Sequence, residues 1–341
     1  VEWLLSTDRV PCGEWLIKSG RFDGMKIPKP GLTLARDQIL PDTDRRQLAR
    51  EANAGAKVRL ARGAYLPADI WNSLGAADRS IATIAAATST LRTKPVYSHA
   101  SAAVLWDLPV ISGWPAEVHI TVDPGTATRS RNRIVRHSAA LHSDDVVDCG
   151  SYFVTSVART ILDAAATFRF IDAVTLADRA LLIDRYSRTT PMVTREQLED
   201  AWDRSRPMRA HSRTRAVLSF AETRAESPLE SVSRVTMRII GVPRPRLQVP
   251  YYDAMGFIGE PDFSWGQFGV VGEADGDAKY TDPQLRSGRT AEQVVIDEKV
   301  REDRLRALGL RVPRWRWNIA IDPSALRARL TSAGLPTGCK W

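Results

Sequence analysis

Apolar residues recur at helical spacing in some stretches of this chain and alternate in others, and the changes between the two divide it. Asp42-Thr43-Asp44 can cap a helix over residues 45–52 that ends near Gly55. Residues 57–67 alternate about Arg62-Gly63 and predict a two-stranded ribbon. A short helix followed by a basic ribbon is the pattern of a winged helix-turn-helix. The Pro, Lys and Gly residues of 26–32 interrupt what precedes it, so an irregular N-terminal cap with a hairpin reads the same residues. Helices are predicted over 76–87 and 99–106, the second capped by Ser98, and residues 117–122 alternate as a strand. Thr155-Ser156 cap a helix over 157–165, residues 171–182 form another, and Thr194 with Gln197 makes a capping box at the head of a third.

The C-terminal pattern is sharper. Ser227 caps a helix with Pro228 in its first turn and Gly241 as its stop. Strands are predicted at 247–252, from Asp262-Phe263-Ser264-Trp265, and at 269–276; a helix over 291–307 stops at Gly309, and 311–317 form a last strand. The order is α-β-β-β-α-β. The expected fold is therefore α/β in several domains: a winged-helix-like unit at 1–70, an α/β unit at 71–190, a basic helical connector at 191–225 and a second α/β unit at 226–341.

Composition adds bounds. With 341 residues, 43% hydrophobic and 26% charged, the chain suits two or three globular domains and is not globally disordered. No stretch approaches the ~20 apolar residues of a membrane span, and residues 1–8 lack the basic and apolar regions of a signal peptide, so the cytoplasm is the expected compartment. Cys12, Cys149 and Cys339 are far apart and form no CxxC pair, and the five histidines make no HExxH pattern. Charge says more. Lys and Arg outnumber Asp and Glu by 48 to 40, a net +8, and 40 of the 48 are Arg. A GC-rich coding sequence would contribute to that bias, but Arg is the side chain best suited to phosphates and base edges. The candidate nucleic-acid contacts are Arg59 and Arg62 on the ribbon and Arg129, Arg131 and Arg133 on a loop entering a strand; a solvated loop is the plainer reading of 129–136. His99 beside Ser98 is expected to serve the helix start, and Arg159 with Asp163 to form an i,i+4 ion pair.

The chemistry concentrates at Glu273 and Asp275. In an extended chain residues i and i+2 point to one face, about 6.6 Å apart. Two carboxylates there, after an apolar run, repel each other unless something compensates. Asp262 on the neighbouring strand can join them. Three acids at one sheet edge can hold Mg²⁺ or Mn²⁺, which stabilises charge at a scissile phosphate and lowers the pKa of a bound water. Glu230 on the preceding helix could act through such a water, Lys279 could orient the nucleophile or neutralise the phosphate, and Gln248 could face the site. Turn chemistry at Asp275-Gly276 is the bland alternative. A calcium loop fails, because Ala278 stands at its glycine position and no acid at its twelfth.

Residues 227–317 resemble the Vsr-like (very short patch repair) branch of the PD-(D/E)xK endonucleases. The matching pieces are Ser227-Pro228-Leu229-Glu230-Ser231, Pro261-Asp262-Phe263, Glu273-Ala274-Asp275-Gly276, Lys279-Tyr280, Glu298-Lys299, Arg301 and the run from Asp303 to Gly309. Residues 57–182 resemble AbiEi-type antitoxins through Arg62-Gly63-Ala64-Tyr65, Ser98-His99-Ala100-Ser101-Ala102-Ala103, and the run from Thr155 to Asp163. The resemblances imply a DNA-binding N-terminal half and a three-layer nuclease-like domain. In that domain Asp262 and Glu273 would bind metal, Asp275 would be third ligand or base, and Glu230 and Lys279 would assist. One departure matters: Asp275 stands where the signature has lysine, leaving that role to Lys279 or Lys299. Three functions stay open: a Mg²⁺-dependent DNA endonuclease of defence or repair, a non-catalytic DNA-binding regulator or antitoxin with a relic nuclease domain, and an RNA-directed nuclease. Candidate partners are double-stranded DNA, a cognate toxin protein and a second copy of the chain, with no membrane.

Overall fold

The computed structural model describes residues 31–35, 42–91, 93–126, 129–130, 133–183, 190–208, 210–276 and 291–341. They form two compact units, both mixed α/β. The first takes in the described residues up to Leu181 together with Pro191–Phe220. The second takes in those of Leu182–Thr190 and Ala221–Trp341. Among the described residues no helix is long and apolar enough to cross a membrane.

In the first unit, helix α1 (Asp42–Asn53) leads into the ribbon of β2 (Lys57–Ala61) and β3 (Ala64–Pro67). Gly63 turns the ribbon at φ +75°, a left-handed conformation that suits glycine. A strand of two residues, β1 (Thr33–Leu34), pairs antiparallel with β3; two residues carry no periodicity, so the pattern gave no sign of it. After α2 (Ala68–Ser73), helix α3 (Ala76–Thr90) lays Ala82 and Ala86 on Leu60, Ala64 and Leu66, so the ribbon and this helix share one core.

Beyond them lies a five-stranded sheet ordered β6 (Ile134–Ser138), β5 (Val118–Val122), β4 (Val96–Tyr97), β8 (Phe153–Thr155), β7 (Val146–Asp148). The β5–β6 and β4–β8 pairs are parallel and the other two antiparallel. Helices α4 (His99–Leu105), α5 (Val157–Thr167), α6 (Phe170–Leu181), α7 (Arg195–Arg204) and α8 (His211–Phe220) complete the unit. Ile161, Leu162, Ala173 and Leu176 are wholly buried among them. The expected caps form at α5, where Ser156 Oγ accepts from Arg159 N, and at α7, where Thr194 and Gln197 bond reciprocally. Ser98 behaves differently. It makes no capping bond; its Oγ meets His99 Nδ1 at 2.9 Å, and His99 has φ +52°.

The second unit follows the expected order of elements. Helix α9 (Pro228–Ile240) starts at Ser227, whose Oγ accepts from Glu230 N, and stops at Gly241 with φ +70°. The sheet runs β14 (Arg314–Trp315), β13 (Val270–Ala274), β12 (Phe263–Trp265), β9 (Arg246–Leu247). Only β13–β14 is parallel, and helix α10 (Ala291–Ala307) makes that crossover. The strand expected at 247–252 is split. Gln248 takes φ +49° and Pro250 has no N–H to offer a ladder, so β9 ends and β10 (Tyr251–Asp253) starts a separate hairpin with β11 (Gly256–Gly259). The last strand is likewise shorter than expected, giving way to α11 (Trp317–Ala320) and α12 (Pro323–Ser332).

Trp315 Nε1 donates to Ser233 Oγ, tying the sheet to α9, while Ile258, Val271 and Val312 pack against Leu305 of α10. Gly272 leaves room for Trp315: a Cβ there would lie 2.6 Å from its Cη2. Gly272→Val is therefore expected to cost about 1–3 kcal/mol through overpacking. Urea unfolding tests this, and an unchanged midpoint would contradict it.

Candidate functional site

The acids singled out in the sequence lie around one end of the second unit's sheet. Glu230 sits in the first turn of α9, placed there by the Ser227 cap, and is buried. Its Oε1 accepts from Ser227 Oγ at 2.7 Å, and its Oε2 from Glu226 N at 3.0 Å and Gln248 Nε2 at 3.2 Å. The left-handed turn at Gln248 brings its amide between two acids, since the same Nε2 lies 3.3 Å from Asp262 Oδ1. Asp262, just ahead of β12, accepts Ala274 N–H on Oδ2 at 2.7 Å. A hydrogen-bonded line therefore runs from α9 through Gln248 and Asp262 to the end of β13.

Glu273 and Asp275 lie two residues apart at that end, and each meets an arginine. Arg301 of α10 donates to Glu273 Oε1. Arg314 of β14 grips Asp275 with a two-pronged pair, Nε to Oδ2 and Nη2 to Oδ1, both at 2.7 Å. Arg314 also reaches Glu302 at 3.2 Å and Glu298 at 3.5 Å, both on α10. Fork-to-fork pairing of this kind is strong and directional. Between β13 and α10 lies a cavity of about 20 Å³, bordered by Glu273, Arg301 and Arg314. It has room for roughly one water.

Burial raises the pKa of Glu230 to about 8, and the negative charge of Asp262 pushes it the same way. Folding then takes up a proton between pH 4.5 and about 8, so this group's contribution to stability falls as pH rises across that window. Glu230→Gln is expected to remove the fall. Its melting temperature relative to wild type should be higher at pH 8 than at pH 5, and a difference that does not change with pH would contradict this.

Among the described residues no three His, Cys, Asp or Glu side chains are arranged to hold a metal ion as they stand. The two arginines account for that at Glu273 and Asp275. The donor set nonetheless suits a hard divalent cation in kind, being carboxylate oxygen with neither thiolate nor imidazole. Burial is the main cause of the raised pKa of Glu230; the smaller part that comes from the Asp262 charge is one a cation would relieve. Asp275, expected as third ligand or base, has both oxygens engaged by Arg314.

Lys279 and Arg131 lie outside the described residues. Lys299 is exposed on α10, and Arg59, Arg62, Arg129 and Arg133 are exposed on the first unit. Arg314 escaped the sequence reading. Its signal was the parallel register that sets it beside Glu273, which alternation alone does not supply.

No protein-family model matches the chain. Among curated proteins it is similar to two uncharacterized proteins of Mycobacterium tuberculosis, MT2308 of strain CDC 1551 and Rv2248 of strain H37Rv. Each is 29% identical over 177 residues, which is 52% of this chain and 59% of the relative. The chain thus spans 59% of the length of the curated relatives it matches.

Proposed function

We propose that the second unit is a divalent-metal-dependent phosphodiesterase of the Vsr-like PD-(D/E)xK kind, acting on double-stranded DNA in defence or repair. The observation that carries this reading is the line Glu230–Gln248–Asp262–Ala274 N–H, which joins three acid-bearing elements at one sheet edge. The sheet order and the parallel crossover through α10 support it. Asp262 and Glu273 would hold Mg²⁺ or Mn²⁺, which supplies a Lewis acid at the scissile phosphate and a water of lowered pKa. Asp275 anchors Arg314. Glu230 keeps its proton at neutral pH, so it offers hydrogen bonding beside Asp262 without adding a second charge. Lys279 is proposed to contact the phosphate.

Residues 57–182 are proposed to be AbiEi-like and to bind the duplex. Arg59 and Arg62 on the ribbon, and Arg129 and Arg133, would make phosphate contacts, with Arg131 between the latter two. Binding of that kind weakens steeply with salt. A second reading is a non-catalytic DNA-binding regulator, an antitoxin beside a toxin protein with a relic nuclease domain. The pairing of Arg301 with Glu273 and of Arg314 with Asp275 favours it, because guanidinium groups already balance those acids.

Supercoiled plasmid incubated with Mg²⁺ or Mn²⁺, alongside band shifts at rising salt, separates the two. Metal-dependent nicking supports the phosphodiesterase. Salt-sensitive binding with no nicking in either metal supports the regulator, and absence of both activities contradicts both readings.

A further inference from the structure

Three histidines from separate elements meet in the first unit, and the phosphodiesterase reading leaves them without a task. His99 opens α4, His119 lies on β5 and His137 on β6. The rings of His99 and His137 stack with centroids 3.5 Å apart and planes 14° apart; those of His119 and His137 are 5.2 Å and 16° apart. His119 Nδ1 and His137 Nε2 lie 2.9 Å from each other. That contact needs one N–H and one lone pair. Neutral rings make it, and so does a pair sharing one extra proton, but two protonated rings would set N–H against N–H.

The surroundings are already balanced. From α5, Arg159 Nε donates to Asp163 Oδ1 at 2.9 Å, and its Nη1 lies 3.2 Å from Asp145 Oδ2 in the turn ahead of β7. Arg204 of α7 stands 3.8 Å from Asp145, and Glu117 lies at the entry to β5, near His119. On the His99 side, Asp163 Oδ2 accepts no hydrogen bond and lies 3.8 Å from His99 Nδ1. A single proton on His99 would find the Asp163 carboxylate at that distance, although its Nδ1 already meets Ser98 Oγ. Further protons would place like charges on stacked rings with Arg159 behind them.

Among the described residues β6 is an edge of its sheet, paired along its five residues with β5 alone, and Arg129 and Arg133 precede it in sequence, with Arg136 Nη1 donating to Arg129 O. We infer that the three-histidine stack is an acid-sensitive latch. It holds β6 against β5 near neutral pH and releases the strand, with its arginine loop, when the imidazoles take up protons. Burial holds all three below the ordinary imidazole value; neighbouring rings push His99 and His137 the same way, His137 to about 4, while Glu117 opposes it at His119. Burial raises Asp163 to about 6, which opposes the effect by one group. The released state therefore binds more protons between pH 6.5 and about 4, and acid favours it.

Hydrogen exchange of the full chain at pH 7, 6 and 5, corrected for intrinsic rates, tests the latch. For each net proton taken up, the opening equilibrium of β6 should rise about tenfold per pH unit below 6.5, while β8 in the same sheet stays closed. His137→Phe keeps a ring in the stack but cannot titrate, so its profile should flatten. Opening of β6 that is the same at pH 5 and 7 overturns the inference, as does an unaltered slope in His137→Phe. If that variant does not fold, imidazole NMR of the wild type decides. Rings titrating well below 6.5 in step with β6 opening support the latch, and rings titrating at the free value contradict it.

Discussion

Asp262→Asn is expected to lower metal-dependent nicking at least a thousandfold, about 4 kcal/mol of barrier, while DNA binding is retained. In the proposed phosphodiesterase Asp262 is the acid that joins the two sides of the site. It receives the β13 backbone through Ala274 N–H and the α9 side through Gln248. The amide keeps the shape and most of the hydrogen bonding but removes the charge that would hold a cation, so the variant separates chemistry from folding. Asp275→Asn is the informative contrast. Both its oxygens serve Arg314, which in turn is tied to Glu298 and Glu302 on α10. Its loss should therefore appear chiefly as lowered stability of the second unit. Initial rates of plasmid nicking and urea midpoints for both variants check the pair. Nicking by the Asp262→Asn protein within tenfold of wild type contradicts the proposed role.

Arg159→Met is expected to destabilise the first unit by about 3–5 kcal/mol, the usual consequence of removing one partner from a buried charged network. Arg159, Asp145 and Asp163 are all buried, and the guanidinium also donates to Ala140 O at 3.3 Å. Without it two carboxylates face each other in the interior. Burial already lifts Asp163 to about 6, and Arg159 is what limits the rise. A carboxyl raised in the folded state loses its contribution as pH increases. The deficit should therefore be larger at pH 8 than at pH 5, where Asp163 can be neutral. Denaturant unfolding at the two pH values measures it, and a loss below about 1 kcal/mol or one independent of pH contradicts the account.

What could be read from the sequence was local. Ser227, Pro228 and Gly241 state where α9 begins and ends, and the apolar run before Glu273 states where β13 lies, because caps and alternation act within a few residues. The acids could be grouped for the same reason, since i and i+2 on a strand need no tertiary information. Features set by long-range packing escaped. The pairing of Arg314 with Asp275 spans 39 residues and depends on the register of a parallel crossover. The left-handed turn that carries Gln248 into the site broke a stretch whose alternation looked continuous. The sequence places His99 at a helix start, whereas its ring joins two others from different strands, which only the folded sheet brings together. Lys279, on which part of the proposed chemistry rests, lies outside the described residues.

The proposed phosphodiesterase requires Asp262 and Glu273 to hold a divalent cation although arginines stand beside Glu273 and Asp275. Calorimetric titration of Mn²⁺ into the full chain, beside Asp262→Asn and Glu273→Gln, tests it most directly. One site per chain in the wild type, lost in both variants, is the expected result. No binding in the wild type, or binding that survives both substitutions, contradicts it.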